Sequence, residues 1–279
     1  MTWVAKILAL SVVVLGINGN AACAQSLPYI TLASTTSTDN SGLFSHILPL
    51  FKAERGISVR VVAVGTGQAI RLAKRGDADV LLVHHRPSEE KFVARGYGIK
   101  RHELMFNDFV LVGPTNDPAK VLGSLRATDA FKSISDSRAV FASRGDDSGT
   151  HKIERSIWQN IKVDVSKVSG TWYREVGSGM GATLNIAAGM NAYTLVDRAT
   201  WESYKNKGMQ RILFQGDPAL FNQYGVIGVS PRRHPHIKAD LADKFIRWLT
   251  SYKGQRAISE FKIAGQQVFT PNASPSPTR

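Results

Sequence analysis

The turn Ser143-Arg144-Gly145-Asp146-Asp147-Ser148-Gly149-Thr150-His151 is the stretch of this sequence best equipped to hold a ligand. It runs into residues 152–161, where Ile153, Ile157 and Ile161 recur every four positions, so the turn lies at a helix N-terminus with unpaired N–H groups. Such an end carries roughly half an elementary positive charge. Ser148 and Thr150 can donate hydroxyl hydrogens, and Gly149 lets the backbone come close to a ligand. Arg144 adds a full charge on a planar fork of donors. The chemistry these types favour is capture of an oxoanion. Taken alone, the turn is equally an N-cap, with Asp147 or Ser148 bonded to a free N–H and Arg144 paired with Asp146.

Two further loops repeat the arrangement. Residues 29–33 form a short strand pattern that enters the hydroxyl-rich run Ser34 to Gly42. Leu43, Phe44, Ile47, Leu48 and Phe51 follow with helical periodicity, with Pro49 inside and Gly56 as the stop. The β-rich run 57–64 ends in Gly65-Thr66-Gly67-Gln68, ahead of a helical pattern over 69–75. This loop lacks the Gly-Lys-Ser/Thr ending of a P-loop and the third glycine of a dinucleotide fingerprint, so neither nucleotide site is indicated.

Positioning these loops requires alternating strands and helices. Strands are expected at 79–84, 104–113, 139–142, 192–196 and 224–229, and helices at 119–131, 182–188, 237–252 and 255–261. That alternation describes an α/β protein with parallel strands. The chain of 279 residues is long enough for two lobes.

Residues 1–24 combine Lys6, an apolar run over 7–17 and Ala22-Cys23-Ala24, the pattern of a signal peptide cleaved after Ala24. Export to the periplasm is therefore expected, with lipid attachment through Cys23 as the rival processing route. The only cysteine leaves with the leader, so the mature chain has no disulfide and no thiolate metal site. The tail 270–279 is small, polar and proline-rich, and is expected to be disordered. The net charge of +13 falls to +12 on loss of Lys6, since 34 Lys and Arg then face 22 Asp and Glu. Basic residues are scattered and accompany no aromatic motif, which with export argues against nucleic acid and leaves the charge as a general aid to anion approach.

Several stretches together resemble one family. Ser34-Thr35-Thr36-Ser37, Val64-Gly65-Thr66-Gly67-Gln68-Ala69, Asp79-Val80-Leu81-Leu82-Val83-His84, Asn107-Asp108-Phe109 and the 143–151 turn occur in the order and spacing of TupA-type tungstate-binding proteins of ABC importers. Gly179 to Leu184 and Ala192 to Arg198 extend the likeness, which spans about residues 29–269. The resemblance implies a type II periplasmic-binding-protein fold, with two α/β lobes, two crossover strands and a ligand cleft. Lobe I is then 26–106 plus 227–269 and lobe II is 107–226. It further implies that tungstate, and molybdate with it, is held by Thr35, Thr36, Ser37, Thr66, Gly67, Arg144, Ser148, Gly149 and Thr150. The chain would be a monomer without a cofactor that delivers its anion to an ABC permease and its ATPase.

The chemistry of these anions suits the same residues. Tungstate and molybdate are tetrahedral dianions with four acceptor oxygens and no donor, so their site needs converging donors only. The nearest alternative is another tetrahedral oxyanion, phosphate, sulfate or molybdate itself. Monoprotonated phosphate would need an inward acceptor, for which Asp39, Asp146 and Asp147 are the candidates. Ser148 and His151 raise a distant hydrolase alternative without a Gly-x-Ser-x-Gly elbow. His84-His85 and His234-Pro235-His236 lack the further ligands of a metal site.

Overall fold

The computed structural model describes residues 27–274, so the expected leader, Cys23 and positions 275–279 lie outside the described residues. The chain opens with β1 (Tyr29–Thr35), a short α1 (Thr36–Asn40), α2 (Leu43–Arg55), β2 (Ser58–Val64), α3 (Thr66–Arg75), β3 (Val80–Val83) and α4 (Arg86–Ala94). The long β4 (Gly98–Pro114) leads to α5 (Ala127–Ser137), β5 (Phe141–Ser143), α6 (Gly149–Asn160), β6 (Tyr173–Glu175), α7 (Met180–Gly189), β7 (Thr194–Asp197), α8 (Arg198–Ser203) and β8 (Gln210–Phe214). The chain then forms β9 (Phe221–Val229), α9 (Ala239–Thr250), α10 (Tyr252–Glu260), the hairpin β10 (Lys262–Ile263) with β11 (Gln266–Gln267), and β12 (Thr270–Pro271).

The first sheet runs β2-β1-β3-β9-β4-β12, with β1 parallel to β2 and β3, and β9 antiparallel to β3 and β4. Its central strand β3 is apolar on both faces because helices cover both. Leu43, Phe44, Ile47 and Phe51 of α2 join Phe245 and Trp248 of α9 on one side, while Ala69, Ile70 and Phe92 of α3 and α4 fill the other. The helical spacing around Pro49 survives as one helix, closed at Gly56 in the left-handed conformation (φ 65°).

β4 carries the chain between lobes. Its first part pairs with β9 up to Asp108 opposite Phe221, and from Phe109 onward it pairs with β7 and then β8. The period-two alternation then divides its side chains between two cores. Phe109 and Leu111 pack with Phe131, Phe141 and Trp158, whereas Val110 and Val112 pack with Met180, Leu184 and Trp201.

Three expectations change in detail. The helix expected at 119–131 starts only at Ala127. Asp117 takes the N–H groups of Val121 and Leu122, and Asp217 takes that of Ala127, so side-chain carboxylates hold the preceding stretch as turns. The strand expected at 224–229 starts earlier, at Phe221, which pairs with Asp108 of β4. The tail expected to be disordered from 270 is ordered at its start. Thr270 and Pro271 pair with β4, Asn272 exchanges side-chain hydrogen bonds with Gln223, and Ala273 N donates to Gln255.

These bonds distinguish two truncations. Ending the chain at Phe269 is expected to lower stability by about 2 kcal/mol, since net hydrogen bonds contribute roughly 0.5–1.5 kcal/mol each. Ending it at Ser274 keeps every one of these bonds and serves as the reference. Urea unfolding of both variants checks this.

Candidate functional site

Three strand-to-helix junctions, β1 to α1, β2 to α3 and β5 to α6, place the starts of their helices between the lobes. Thr35 caps α1, its Oγ1 accepting from Thr38 N at 3.3 Å and lying 2.7 Å from Thr38 Oγ1 and 3.1 Å from Ser37 Oγ. Thr36 is half-buried at the first position of α1, and Ser37 is buried beside it. Ser148 caps α6 by accepting from His151 N at 3.2 Å. Gly65 caps α3 without a side chain, and the fully buried Thr66 begins that helix.

Direct contacts join the lobes. Thr66 Oγ1 accepts from Gly149 N at 3.0 Å, tying the first residue of α3 to that of α6. Gly67 faces Asp147 so closely that a Cβ there would lie 2.2 Å from Asp147 Oδ2. A Cβ on Gly149 would lie 2.8 Å from His84 Cε1 and 3.3 Å from Thr66 Oγ1, so glycine is required by close approach. Thr150 is buried, and its Oγ1 has no hydrogen-bond partner in the protein. A buried hydroxyl in that state is poised to meet a ligand atom.

Arg144 is 3% exposed and donates through Nε and Nη2 to Asp146 Oδ2. Ser148 N donates to Asp146 Oδ1 at 3.1 Å, so both oxygens of that carboxylate are engaged. The pairing weighed for the isolated turn is therefore present, and Asp146 offsets the charge of Arg144. Of the other candidate acceptors, Asp39 is exposed and Asp147 is paired with Lys152 at 2.5 Å.

Residues outside the expected set complete the site. His84, at the end of β3, places Nε2 3.4 Å from Ser37 Oγ and Nδ1 2.9 Å from the carboxamide of Asn222, which meets that of Asn107 at 2.7 Å. Burial pushes the His84 imidazole down to about 4, and the charge of Arg144 acts in the same direction. Asp197 is fully buried, with its carboxylate on Thr200 N at 2.9 Å and Thr200 Oγ1 at 2.6 Å. Burial raises its pKa, opposed by these bonds and by Arg144. Beneath the turn, Glu154 accepts from Ser143 Oγ, Trp158 Nε1 and Tyr173 OH, while burial pushes its carboxyl up to about 7. A cavity of about 320 Å³ lies between α4, α6 and β9, lined by His84, Lys152, Phe221 and Asn222 but by none of the expected binding residues. His84 and Asn107 were visible inside two motifs, though without a role. Asn222 gave no signal, because a single asparagine in an apolar strand has no spacing to reveal it.

A family model described as the PBP superfamily domain matches residues 21–253. The tungstate-binding protein TupA of Peptoclostridium acidaminophilum is 46% identical over 254 residues, covering 90% of this chain and 88% of the relative. The chain belongs to the TupA family of the PBP superfamily. TupA of Campylobacter jejuni is 36% identical over 241 residues, covering 85% of this chain and 88% of its own length. The solved TupA structure from Desulfovibrio alaskensis, 44% identical, has a TM-score of 0.77 and covers 88% of this chain and 100% of that one. The structure of the tungstate ABC transporter from Geobacter sulfurreducens, 45% identical, has a TM-score of 0.76 and covers 84% and 98%.

TupA-family chains are substrate-binding proteins of transport, not enzymes. The local geometry agrees, since Ser148 bonds the His151 backbone while the His151 ring accepts from Asp147 N at 3.1 Å. The histidines at 234 and 236 bond the carbonyls of Lys74 and Gly76, each at 2.9 Å. Among the described residues no cluster of metal-ligating side chains occurs, and no helix is long and apolar enough to cross a membrane.

The buried His84 makes a pH prediction. Below pH 6.5 the unfolded chain takes up a proton on this ring that the folded chain does not, so stability falls as pH drops towards 4. Glu89 and Glu154, both pushed up to about 7, act with the opposite sign over the same range, so comparison with a variant is required. Between pH 6.5 and 4 the protein should lose about 3 kcal/mol more than His84→Gln. Urea unfolding across that range measures the difference.

Proposed function

We propose that this chain is a periplasmic solute-binding protein that captures tungstate between its lobes and delivers it to an ABC permease. The observation that carries the reading is the meeting of buried hydroxyls and helix starts from both lobes with no free carboxylate among them. Thr66 and Gly149 touch across the cleft, Thr150 Oγ1 lacks a partner, and both oxygens of Asp146 are engaged by Arg144 and Ser148 N. An acceptor-only dianion suits such a set, whereas hydrogenphosphate would place its proton against donors.

The contacts we assign to the anion are Thr35, Thr36, Ser37, Thr66, Gly67, Arg144, Ser148, Gly149 and Thr150. An anion held by both lobes stabilises the closed arrangement in proportion to its differential affinity for it. The permease and its ATPase would read that closed form. The protein acts as a monomer, needs no cofactor, and is released by cleavage after Ala24. Tungstate is preferred over molybdate in this reading because relatives 36–46% identical to this chain over most of its length are named for tungstate.

Calorimetric titration of the cleaved protein with tungstate, molybdate, sulfate and phosphate tests the assignment. Tight binding of tungstate with little response to phosphate or sulfate is expected, and phosphate as the only tight ligand would overturn it. Arg144→Ala removes the fork and leaves the Asp146 carboxylate without its counter-charge at the site, so tungstate affinity should fall at least roughly 100-fold, about 3 kcal/mol, with the fold retained. Circular dichroism and the same titration read both parts.

A further inference from the structure

Between the lobes runs a chain of three buried side chains: His84 from the end of β3, Asn222 from β9 and Asn107 from β4. One polar atom of the Asn222 carboxamide lies 2.9 Å from His84 Nδ1, and the other lies 2.7 Å from a polar atom of Asn107. Two hydrogen-bond directions fit these positions. In the first, His84 Nδ1–H donates to Asn222, and Asn222 donates to Asn107. The amide NH2 of Asn107 is then buried with no acceptor. A half-turn of both carboxamides keeps every heavy atom in place and reverses the direction. Asn107 then donates to Asn222, and Asn222 donates to an unprotonated His84 Nδ1. The Tyr224 hydroxyl, 3.4 Å from the Asn222 amide, faces a carbonyl it can donate to. The group left over is a carbonyl, which tolerates missing partners better than an N–H does.

The reversed direction decides the ring. Burial keeps His84 neutral, so its single proton sits on whichever nitrogen Asn222 leaves free. That nitrogen is Nε2, 3.4 Å from the hydroxyl of Ser37, one of the residues assigned to the anion. We propose that His84 is a further specificity-determining residue of the cleft, held by Asn107 and Asn222 as the Nε2–H tautomer so that it presents a donor and no acceptor. Asn107 and Asn222 are positioning residues. The opposite tautomer would turn a lone pair towards the anion, repelling a fully deprotonated dianion and accommodating the proton of hydrogenphosphate. This inference rests on the oxoanion function proposed above.

Long-range proton–nitrogen NMR of the 15N-labelled mature protein tests the tautomer, with the His84 signals identified by their loss in His84→Gln. Protonated Nε2 and bare Nδ1, unchanged from pH 8 to 5.5, is the expected result; an Nδ1–H tautomer or a charged ring overturns the inference. Asn107→Asp gives a second readout. A carboxylate only accepts, so Asn222 must turn its NH2 towards it and its carbonyl towards His84. Titrated at pH 8 with sodium tungstate and inorganic phosphate, both chiefly dianions, the variant should show a tungstate-to-phosphate affinity ratio at least about tenfold below that of the wild type. Equal weakening of both anions, as the added charge alone would cause, counts against the proposal. Wild-type titration with tungstate reads the proposed function independently, so a wrong cargo and a wrong tautomer are told apart.

Discussion

A helix leaves its first N–H groups without partners inside the helix, and the architecture of this protein turns that constraint into a site. In each lobe, strands deliver the chain to one edge of the sheet and helices begin there. β4 pairs with the first sheet up to Asp108 and with the second from Phe109, so a single strand sets the two edges against each other. The hydrogen bond from Gly149 N to Thr66 Oγ1 is the direct consequence. It joins the starts of two helices separated by 83 residues in sequence.

Charge is handled sparingly at this junction. Arg144 is almost wholly buried and already paired with Asp146, while His84 is kept neutral by burial. In the proposed site, attraction for an anion would therefore draw on oriented N–H and O–H groups beside Arg144, and such groups act strongly only where water is excluded. The arrangement also explains the glycines. At Gly149 a side chain would meet both His84 and Thr66, and at Gly67 it would meet Asp147 from the other lobe. Gly149, between the buried His84 and Thr66, is the one that lets the lobes approach.

The supporting layers are apolar and aromatic. Phe131, Phe141, Trp158 and Tyr173 stack beneath the 143–151 turn, and the Tyr173 hydroxyl reaches Ser143 and Glu154. The buried carboxylate of Glu154 thus fixes the end of β5 just before Arg144. A rigid underside lets a short loop hold its donors in place.

Much of this was legible in the residues alone. The αβ alternation, the 143–151 turn ahead of α6, the hydroxyl run after β1 and the long crossover strand all follow from local periodicity and stop signals, which a linear chain displays directly. The onset of α5 was misread because the carboxylates that hold 115–126 as turns include Asp217, distant in sequence. The early start of β9 and the ordered Thr270 to Ala273 were hidden for the same reason, since their partners lie on β4, β9 and α10. Local pattern was enough to mark the donor-rich helix starts and to assign them to an α/β chain. The meeting of Thr66 with Gly149, the engagement of Arg144 by Asp146 and the alignment of His84, Asn222 and Asn107 emerged only in the folded chain. Those facts depend on distances between strands far apart in the chain, which no local pattern encodes.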